Sequence, residues 1–495
     1  MSAPVITGTP DEPLVDAVRR MHERRVGSIV VSDGLAPLGI LTERDVLAMA
    51  GQPGGVDGRR VRDAMTAPVD VVEADYDAAS VLKMMGERGY RHMPVTRDGE
   101  LIGVISLRDL ARIASIGPGD VPRGLKGVVV AETELGDVRG SEGFYHYRQY
   151  SAVDLARSRS LEDVWQLVLD GALPNGQAGR LAFADEIRPL RALSAEVGGL
   201  LPAIARTSPP LEGLRTTLSF ACAERGCRPL YDLDQDSRRT DALFVAALTP
   251  TILTALHRLR TGQEPIPPRD DLDYAANYLW MLTGQEPKTN HADAMKHYLV
   301  STIDHGFNAS TFTARVIAST GADIGACVTG AIGALSGPLH GTAPGRALEL
   351  LDEIGTPDRA RPVIAEKVLR GERIMGFGHA VYTTDDPRSV MLREVAQRLR
   401  GPLVDLAVQV EQAVVAVLAE LKPGRHLNAN VEFYAGVVMA LCGIPREMFT
   451  PTFASSRVIG WTANVLEQAN DSKIIRPSAR YVGPPPPQPV PPISS

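Results

Sequence analysis

The sequence is poor in cysteine and has no leader-like start, and both features narrow the kind of protein it can be. Four cysteines occur among 495 residues, and only Cys222 and Cys227 lie near each other, so neither a disulfide framework nor a CxxC zinc ribbon is predicted. The N-terminus lacks a basic segment followed by an apolar one, and no run of about 20 apolar residues is evident. We therefore expect a soluble protein of the reducing cytoplasm.

Composition excludes several further classes. The net charge of −7 offers no general attraction for nucleic acid, and 44% hydrophobic with 22% charged residues indicates a globular chain rather than a disordered or fibrous one. The ten histidines show no HxxEH or comparable ligand spacing, so a metallohydrolase is not predicted and no metal site is expected. A length of 495 residues predicts two or three compact units.

An internal repeat occupies the first quarter of the chain. The heptapeptide GILTERD at 39–45 recurs as GVISLRD at 103–109, an offset of 64 residues, and Met21 and Met85 keep the same register. Each copy runs from a helical spacing of apolar residues into a β-rich segment, of which 28–31 is predicted to be a buried strand. Each copy is therefore expected to be a small α/β element.

This repeat resembles a pair of CBS motifs, the Bateman module, over about residues 1–115, with copies at about 1–50 and 60–115. The resemblance implies that a hydroxyl and an aspartate of each copy bind the phosphate and ribose of an adenine nucleotide: Thr42, Asp45, Ser106 and Asp109. Carboxylates suit ribose hydroxyls, and a strand-to-helix turn offers N–H groups to phosphate. Alternatively, each aspartate only caps a helix, and the pair is an interaction module.

The two copies differ where they would line the shared cleft. Residues 91–95 of the second copy, with His92, are expected to line it, whereas Ser28 stands at the equivalent position of the first copy. The two halves of the cleft are therefore not expected to be equivalent.

Glycine and proline mark the remaining boundaries. Residues 116–126 contain several of both and are predicted to be a linker, and the proline-rich 484–495 is predicted to be an extended tail. Between them, 127–483 shows mainly helical periodicity. Ser160, for example, precedes an acidic first turn and an apolar face that ends at Gly171 and Pro174. A mainly α, many-helix domain is predicted here.

Three histidines of this domain lie in turn-like or glycine-rich settings, where functional residues are frequent. His305 lies in DHGFNAST, His340 in SGPLHG and His379 in GFGHAVY, which DPR follows closely. Together with NVEFY at 430–434, these motifs resemble those of the citrate synthase family in order and approximate spacing, over about residues 125–483. The resemblance implies a mainly α fold with a large and a small domain, preceded here by the small α/β CBS pair.

The resemblance also implies a role for each motif. His340 would donate a hydrogen bond to the thioester oxygen of acetyl-CoA while Glu432 removes the methyl proton, because the α-proton is too weakly acidic without stabilisation of the enolate. His379 would polarise the ketone of oxaloacetate. A dicarboxylate also needs a clamp of cationic and donor groups. The clamp would consist of His305, Arg388, Arg457 and Arg476.

The resemblance implies an acyltransferase of the tricarboxylic acid cycle that needs no cofactor. Its substrates would be acetyl-CoA and oxaloacetate. In the family, the arginine corresponding to Arg476 comes from the neighbouring subunit, which implies a homodimer or a higher homo-oligomer. An adenine nucleotide is expected as an allosteric effector, and neither nucleic acid nor a membrane is an expected partner. The alternatives are a 2-methylcitrate synthase using propionyl-CoA and a non-catalytic metabolite or adenylate sensor.

Two positions depart from the family's pattern. The usual base is aspartate, and the extra methylene of Glu432 moves the carboxylate by about 1.5 Å if the backbone is unchanged. Four residues after His340 the family commonly has asparagine, whereas this chain has Pro344. We expect the following helix to start differently as a result.

Overall fold

The computed structural model divides the chain into two compact units, Met1–Val130 and Ala131–Ser495. It describes residues 5–24, 26–34, 36–107, 109–110, 125, 128–338, 340, 343–378, 381–382, 384–422, 427–471, 473–479, 481–484, 486–488 and 490. The predicted catalytic residue His379 and nearly all of the predicted linker 116–126 lie outside these residues. The domain boundaries assigned from the sequence therefore stay predictions.

The N-terminal unit contains two small sheets with the strand orders β1-β2-β3 and β4-β5-β6. Its strands are β1 Thr7–Gly8, β2 Ser28–Ser32, β3 Pro37–Thr42, β4 Val72–Glu73, β5 His92–Arg97 and β6 Glu100–Ser106. Its helices are α1 Leu14–Glu23, α2 Glu43–Ala50 and α3 Ala78–Arg88. The small α/β character predicted for each copy is confirmed.

Strand register shows that the sequence repeat is also a structural repeat. Ser28 pairs with Thr42 in the first sheet, and His92 pairs with Ser106 in the second, which preserves the offset of 64 residues. The register shifts after Val31 in one copy and after Val95 in the other. Each sheet buries its apolar side chains in a separate small core.

The C-terminal unit is mainly helical, as predicted. Its short antiparallel strands are β7 Val138–Arg139, β8 Phe144–Tyr147 and β9 Tyr150–Ser151. The first helices are α4 Ala152–Ser158, α5 Leu161–Asp170, α6 Gly176–Ile187, α7 Ala195–Thr207, α8 Pro210–Arg225, α9 Gln235–Arg260, α10 Tyr274–Thr283 and α11 Thr289–Thr302. The others are α12 Ala309–Ala318, α13 Ile324–Leu335, α14 Ala343–Ile354, α15 Pro357–Leu369, α16 Pro387–Leu399, α17 Pro402–Leu421, α18 Val431–Leu441 and α19 Phe449–Ala469.

Local sequence signals explain where these helices begin and end. The Ser160 hydroxyl accepts the Asp163 N–H at 3.1 Å and caps α5, which ends at Gly171 in a left-handed conformation (φ 85°) that glycine adopts without strain. The helix after His340 begins at Ala343, so Pro344 occupies its first turn, where proline is tolerated.

Among the residues that the structure describes, two helices are long and apolar enough to cross a membrane by length and composition alone. They are α9 and α17. The most apolar stretch of α9 is 83% buried, and that of α17 is 33% buried. The buried stretch of α9 is part of the unit's hydrophobic core, and buried core helices of soluble proteins pass the same test.

Candidate active site

The ends of helices position the predicted catalytic residues of the C-terminal unit. Asn430 caps α18 by accepting the Glu432 N–H at 3.1 Å, and Asp386 caps α16 by accepting the Arg388 N–H at 3.0 Å. The Gly378 N–H donates to the Asn428 carbonyl at 2.9 Å. This bond joins the glycine-rich GFG segment to the start of α18 and brings two sequence motifs together.

Glu432 has the electrostatics of a general base. Burial raises the pKa of its carboxyl from 4.5 to about 7. The negative charge of Asp386 also raises this pKa, whereas the positive charge of Arg388 lowers it. A carboxylate that titrates near neutral pH is a stronger base than an ordinary glutamate and is still ionised in a large fraction of molecules.

His305 and Arg388 share two tyrosines. The His305 Nε2 lies 2.9 Å from the Tyr382 hydroxyl, and its ring contacts the Tyr145 ring with centroids 5.4 Å apart. The guanidinium of Arg388 lies over the same two rings, at 5.8 Å from Tyr145 and 5.9 Å from Tyr382. Arg388 is buried, with 4% of its surface exposed. The structure therefore brings these two predicted clamp residues together.

His340 is held by a hydroxyl and is neutral. Its Nε2 lies 2.8 Å from the Ser310 Oγ, which also accepts the Trp461 Nε1–H at 3.2 Å. Burial, with the nearby charge of Arg457, lowers the pKa of His340 to about 4. The ring is therefore uncharged at neutral pH and carries a single N–H that can donate a hydrogen bond.

Arg457 lies on α19 and is buried. Its Nε donates to the Thr302 carbonyl at 2.8 Å, and its guanidinium lies 4.6 Å from the Phe453 ring centroid. Burial lowers the pKa of Arg457, while the charge of Asp304 opposes that shift. Asp304 is itself buried, which raises its pKa to about 6. Burying a guanidinium is costly, and such groups occur mainly where a negative partner binds.

Electrostatic coupling shows that these groups form one cluster. The charge of Arg457 acts on His340, that of Arg388 acts on Glu432, and both arginines act on the buried hydroxyl of Tyr298. Among the described residues, no group of three or more histidine, cysteine, aspartate or glutamate side chains is arranged to hold a metal ion.

Arg476 differs from the other predicted clamp residues. It follows α19 in an extended segment whose Ile475 N–H donates to the Ser319 Oγ at 3.1 Å, and it is exposed. It forms no ion pair with any other residue that the structure describes. Its own chain therefore leaves this guanidinium on the surface.

In the N-terminal unit, the two predicted nucleotide-binding residues of each copy are hydrogen-bonded to each other, and those of the first copy cap α2. The Asp45 Oδ2 accepts the Thr42 N–H at 2.8 Å and the Thr42 hydroxyl at 2.6 Å. The Asp109 Oδ2 accepts the Ser106 N–H at 3.1 Å and the Ser106 hydroxyl at 2.8 Å. The capping alternative is therefore present in the first copy, and the same side-chain bonds recur in the second.

A cavity of about 230 Å³ in this unit is lined by the first copy's motif. Thr42 and Asp45 face Arg91 and His92 across it, so the expectation that the 91–95 segment contributes to the cleft holds for these two residues. Burial lowers the pKa of His92, against the charges of Glu43 and Asp109. The buried His92 Nδ1 has no hydrogen-bond partner among the described residues.

Sequence reasoning missed several residues that support the site. Tyr145 lies far in sequence from every predicted site residue, and Trp461 lies outside the motifs, one turn after Arg457. By contrast, Ser310, Tyr382 and Asp386 lie inside the motifs. Proximity to a predicted catalytic histidine or arginine is the signal that would have identified the last three.

Two family models match the chain. One, described as "Citrate synthase, C-terminal domain", matches residues 124–478, and one described as "CBS domain" matches 1–50 and 61–115. A citrate synthase of Deinococcus radiodurans is 36% identical over 366 residues, covering 74% of this chain and 96% of that protein. A 2-methylcitrate synthase of Shewanella oneidensis is 37% identical over 366 residues, covering 73% and 94%.

A solved structure of similar fold contains ligands. It is the ternary complex of carboxymethyl coenzyme A and oxaloacetate with citrate synthase from Thermoplasma acidophilum. Its sequence identity to this chain is 27% and its TM-score 0.69, and the match covers 75% of this chain and 98% of the other.

Proposed function

The chain belongs to the citrate synthase family of condensing, acyl-transferring enzymes, and on that premise we propose that it joins acetyl-CoA to oxaloacetate to give citrate and CoA. The observation that carries the proposal is the cluster of a neutral His340, a carboxyl of pKa about 7 at Glu432 and two buried arginines. Enolisation of a thioester requires a donor and a base, and a dicarboxylate requires cations.

In the proposed first step, Glu432 removes a methyl proton while His340 donates a hydrogen bond to the thioester oxygen. A neutral imidazole carries one N–H, so donation from Nδ1 requires Nε2 to accept a hydrogen bond from a partner. The Ser310 hydroxyl is that partner in this mechanism. The Ser310 oxygen accepts from Trp461 and lies 2.8 Å from both the His340 Nε2 and the Asn308 Oδ1, so this mechanism requires its single proton to point to the ring rather than to Asn308.

In the second step, the enol carbon attacks the ketone of oxaloacetate. His305, Arg388 and Arg457 are proposed to bind its carboxylates, and His379 is proposed to polarise the ketone. Burial of both arginines supports this role, because a desolvated guanidinium gains most from a carboxylate that arrives with the substrate. Hydrolysis of the resulting citryl thioester releases CoA.

We propose a homodimer, which the placement of Arg476 supports. Its exposure in its own chain fits a role in the site of a second copy, as the family resemblance implies. We propose that each site is complete only when the partner subunit supplies this arginine. A soluble, cytoplasmic enzyme without a cofactor is proposed.

The alternative acyl substrate is propionyl-CoA, since a 2-methylcitrate synthase is as similar to the chain as a citrate synthase is. One additional methylene discriminates by only about 10- to 200-fold in a hydrophobic pocket. The test is oxaloacetate-dependent loss of the thioester with each acyl-CoA. A higher kcat/KM with acetyl-CoA supports the proposal, a higher value with propionyl-CoA supports the alternative, and no turnover with either supports a non-catalytic sensor.

We further propose that an adenine nucleotide binds the cavity beside Thr42 and Asp45 and regulates the enzyme. The unpartnered Nδ1 of His92 and the guanidinium of Arg91 suit a ligand with polar groups and phosphate. ATP is expected to inhibit and AMP to relieve inhibition, because the reaction feeds oxidation. A coupling of about 1–3 kcal/mol would change substrate affinity by about 5- to 150-fold.

A further inference from the structure

One buried carboxylate joins the helix that carries the substrate arginine to the helix that carries the base. The Asp386 Oδ1 accepts the N–H and the Nε–H of Arg388, both at 3.0 Å. The Asp386 Oδ2 accepts the Arg388 Nη2–H at 2.8 Å and the Val431 N–H at 3.0 Å. Val431 is the first residue of α18 and directly precedes Glu432. Asp386 is 2% exposed, so these bonds are shielded from water.

We propose that Asp386 is a positioning residue that fixes the Arg388 guanidinium and the Glu432 carboxylate relative to each other. The inference rests on the proposed function, in which these two groups act on different substrates that must meet within bonding distance. A long arginine side chain has many rotamers, and the bonds from its Nε and Nη2 to one carboxylate select a single orientation. Catalytic rates fall by up to about 100-fold when a group is displaced by 1 Å.

The bond to Val431 has a separate consequence. The first N–H groups of a helix have no partner within that helix, so α18 needs acceptors from elsewhere. Asn430 supplies one, and Asp386 supplies a second from another helix, with a negative charge that the helix N-terminus favours. This bond ties the turn that holds Glu432 to α16.

The charge of Asp386 also tunes the base. It raises the pKa of Glu432, whereas Arg388 lowers it. Neutralising Asp386 removes the first effect and leaves the positive charge of Arg388 less compensated. Both changes lower the pKa of Glu432, so the acidic limb of kcat/KM moves to lower pH. A purely structural role would not move that limb.

The test is Asp386→Asn in the full chain, with Asp385→Asn as the matched control. Asparagine caps helices as well as aspartate does, so the start of α16 is preserved. Asp385 is exposed and bonds to the Asn428 side chain at 2.6 Å. For Asp386→Asn we expect the KM for oxaloacetate to rise by about 10- to 100-fold, the scale of a lost hydrogen bond to a charged group, together with a fall in kcat. Asp385→Asn should match the wild type.

A second variant isolates the link to α18. Val431→Pro removes the N–H and keeps an apolar side chain of similar size. Proline is favoured at the first position of a helix, and the extended Asn430 (ψ 177°) suits a residue before proline. We expect kcat to fall while the KM for oxaloacetate and the acidic limb stay unchanged.

The outcomes separate this inference from the proposed function. Wild-type protein that does not condense acyl-CoA with oxaloacetate contradicts the proposed function. Active wild type with an Asp386→Asn variant that behaves like Asp385→Asn overturns the positioning role alone. Normal kcat in Val431→Pro overturns the link to α18.

Discussion

Replacing Glu432 by glutamine tests the proposed base most sharply. The amide keeps the size of the side chain but cannot accept a proton, so the enolisation step loses its catalyst. Loss of a general base lowers rates by about 10²- to 10⁴-fold, and the KM for oxaloacetate should change little because Arg388, Arg457 and His305 remain. In energy, this range corresponds to about 3–5 kcal/mol of transition-state stabilisation.

The pH profile carries an independent signature of the same group. The proposed mechanism requires ionised Glu432, whose pKa is about 7, so wild-type kcat/KM should fall about tenfold per pH unit below that value. His340, with a pKa of about 4, does not titrate in this range. The residual activity of Glu432→Gln should therefore lack the limb near pH 7.

Glu432→Gln should raise the stability of the protein at pH 8, although it lowers the activity. Because the folded-state pKa of Glu432 is raised from 4.5 to about 7, its contribution to stability is full below about pH 4.5 and is lost as the pH rises through about 7. The ionised carboxylate at pH 8 then costs about 3 kcal/mol relative to the protonated one. Glu432→Gln removes the charge, so its Tm should exceed that of the wild type at pH 8 and equal it near pH 4.

The assay is loss of the thioester with saturating oxaloacetate, paired with thermal unfolding at both pH values. Glu420→Gln is the control, since that carboxylate is exposed and pairs only with Arg361 among the residues described. Turnover of Glu432→Gln within threefold of wild type would refute the assignment of the base.

Further predictions concern the other parts of the chain. A truncation lacking residues 1–115 should remain dimeric and condense the substrates at the wild-type rate; an inactive but dimeric truncation would contradict the modular organisation. Ser310→Ala should lower kcat by at least about tenfold with the KM for oxaloacetate unchanged, measured by steady-state kinetics. Calorimetric titration should show ATP binding to the wild type and none to Asp45→Ala/Asp109→Ala; binding that survives would place the nucleotide elsewhere. Arg476→Ala should lower oxaloacetate affinity, and mixing it with Glu432→Gln should restore part of the activity if subunits exchange.

The sequence predicted the elements whose determinants are local. The 64-residue repeat predicted a small α/β element in each copy, and the apolar run at 28–31, predicted to be a buried strand, lies within β2. The sequence also predicted the start of α5 at Ser160 and its end at Gly171. A hydroxyl before acidic residues favours a helix N-cap, and a glycine after an apolar face favours a helix end.

What the sequence did not predict depends on contacts between distant segments. Trp461 reaches Ser310 across 151 positions, and nothing in its neighbourhood within α19 indicates that its N–H has that partner. The bond from Val431 to Asp386 likewise forms only when α16 and α18 pack together. Hydrophobic periodicity specifies which face of a helix is buried, but not which polar group on another helix meets it.

The most direct test of the condensation itself is to follow the acyl carbons into product. Full-length protein is supplied with acetyl-CoA labelled with ¹³C in both acetyl carbons and with unlabelled oxaloacetate, and the products are identified by mass spectrometry. The proposed condensation predicts citrate carrying two labelled carbons in a 1:1 ratio with free CoA, formed only when oxaloacetate is present. Free labelled acetate, or CoA released without oxaloacetate, would show thioester hydrolysis and would contradict the proposed condensation.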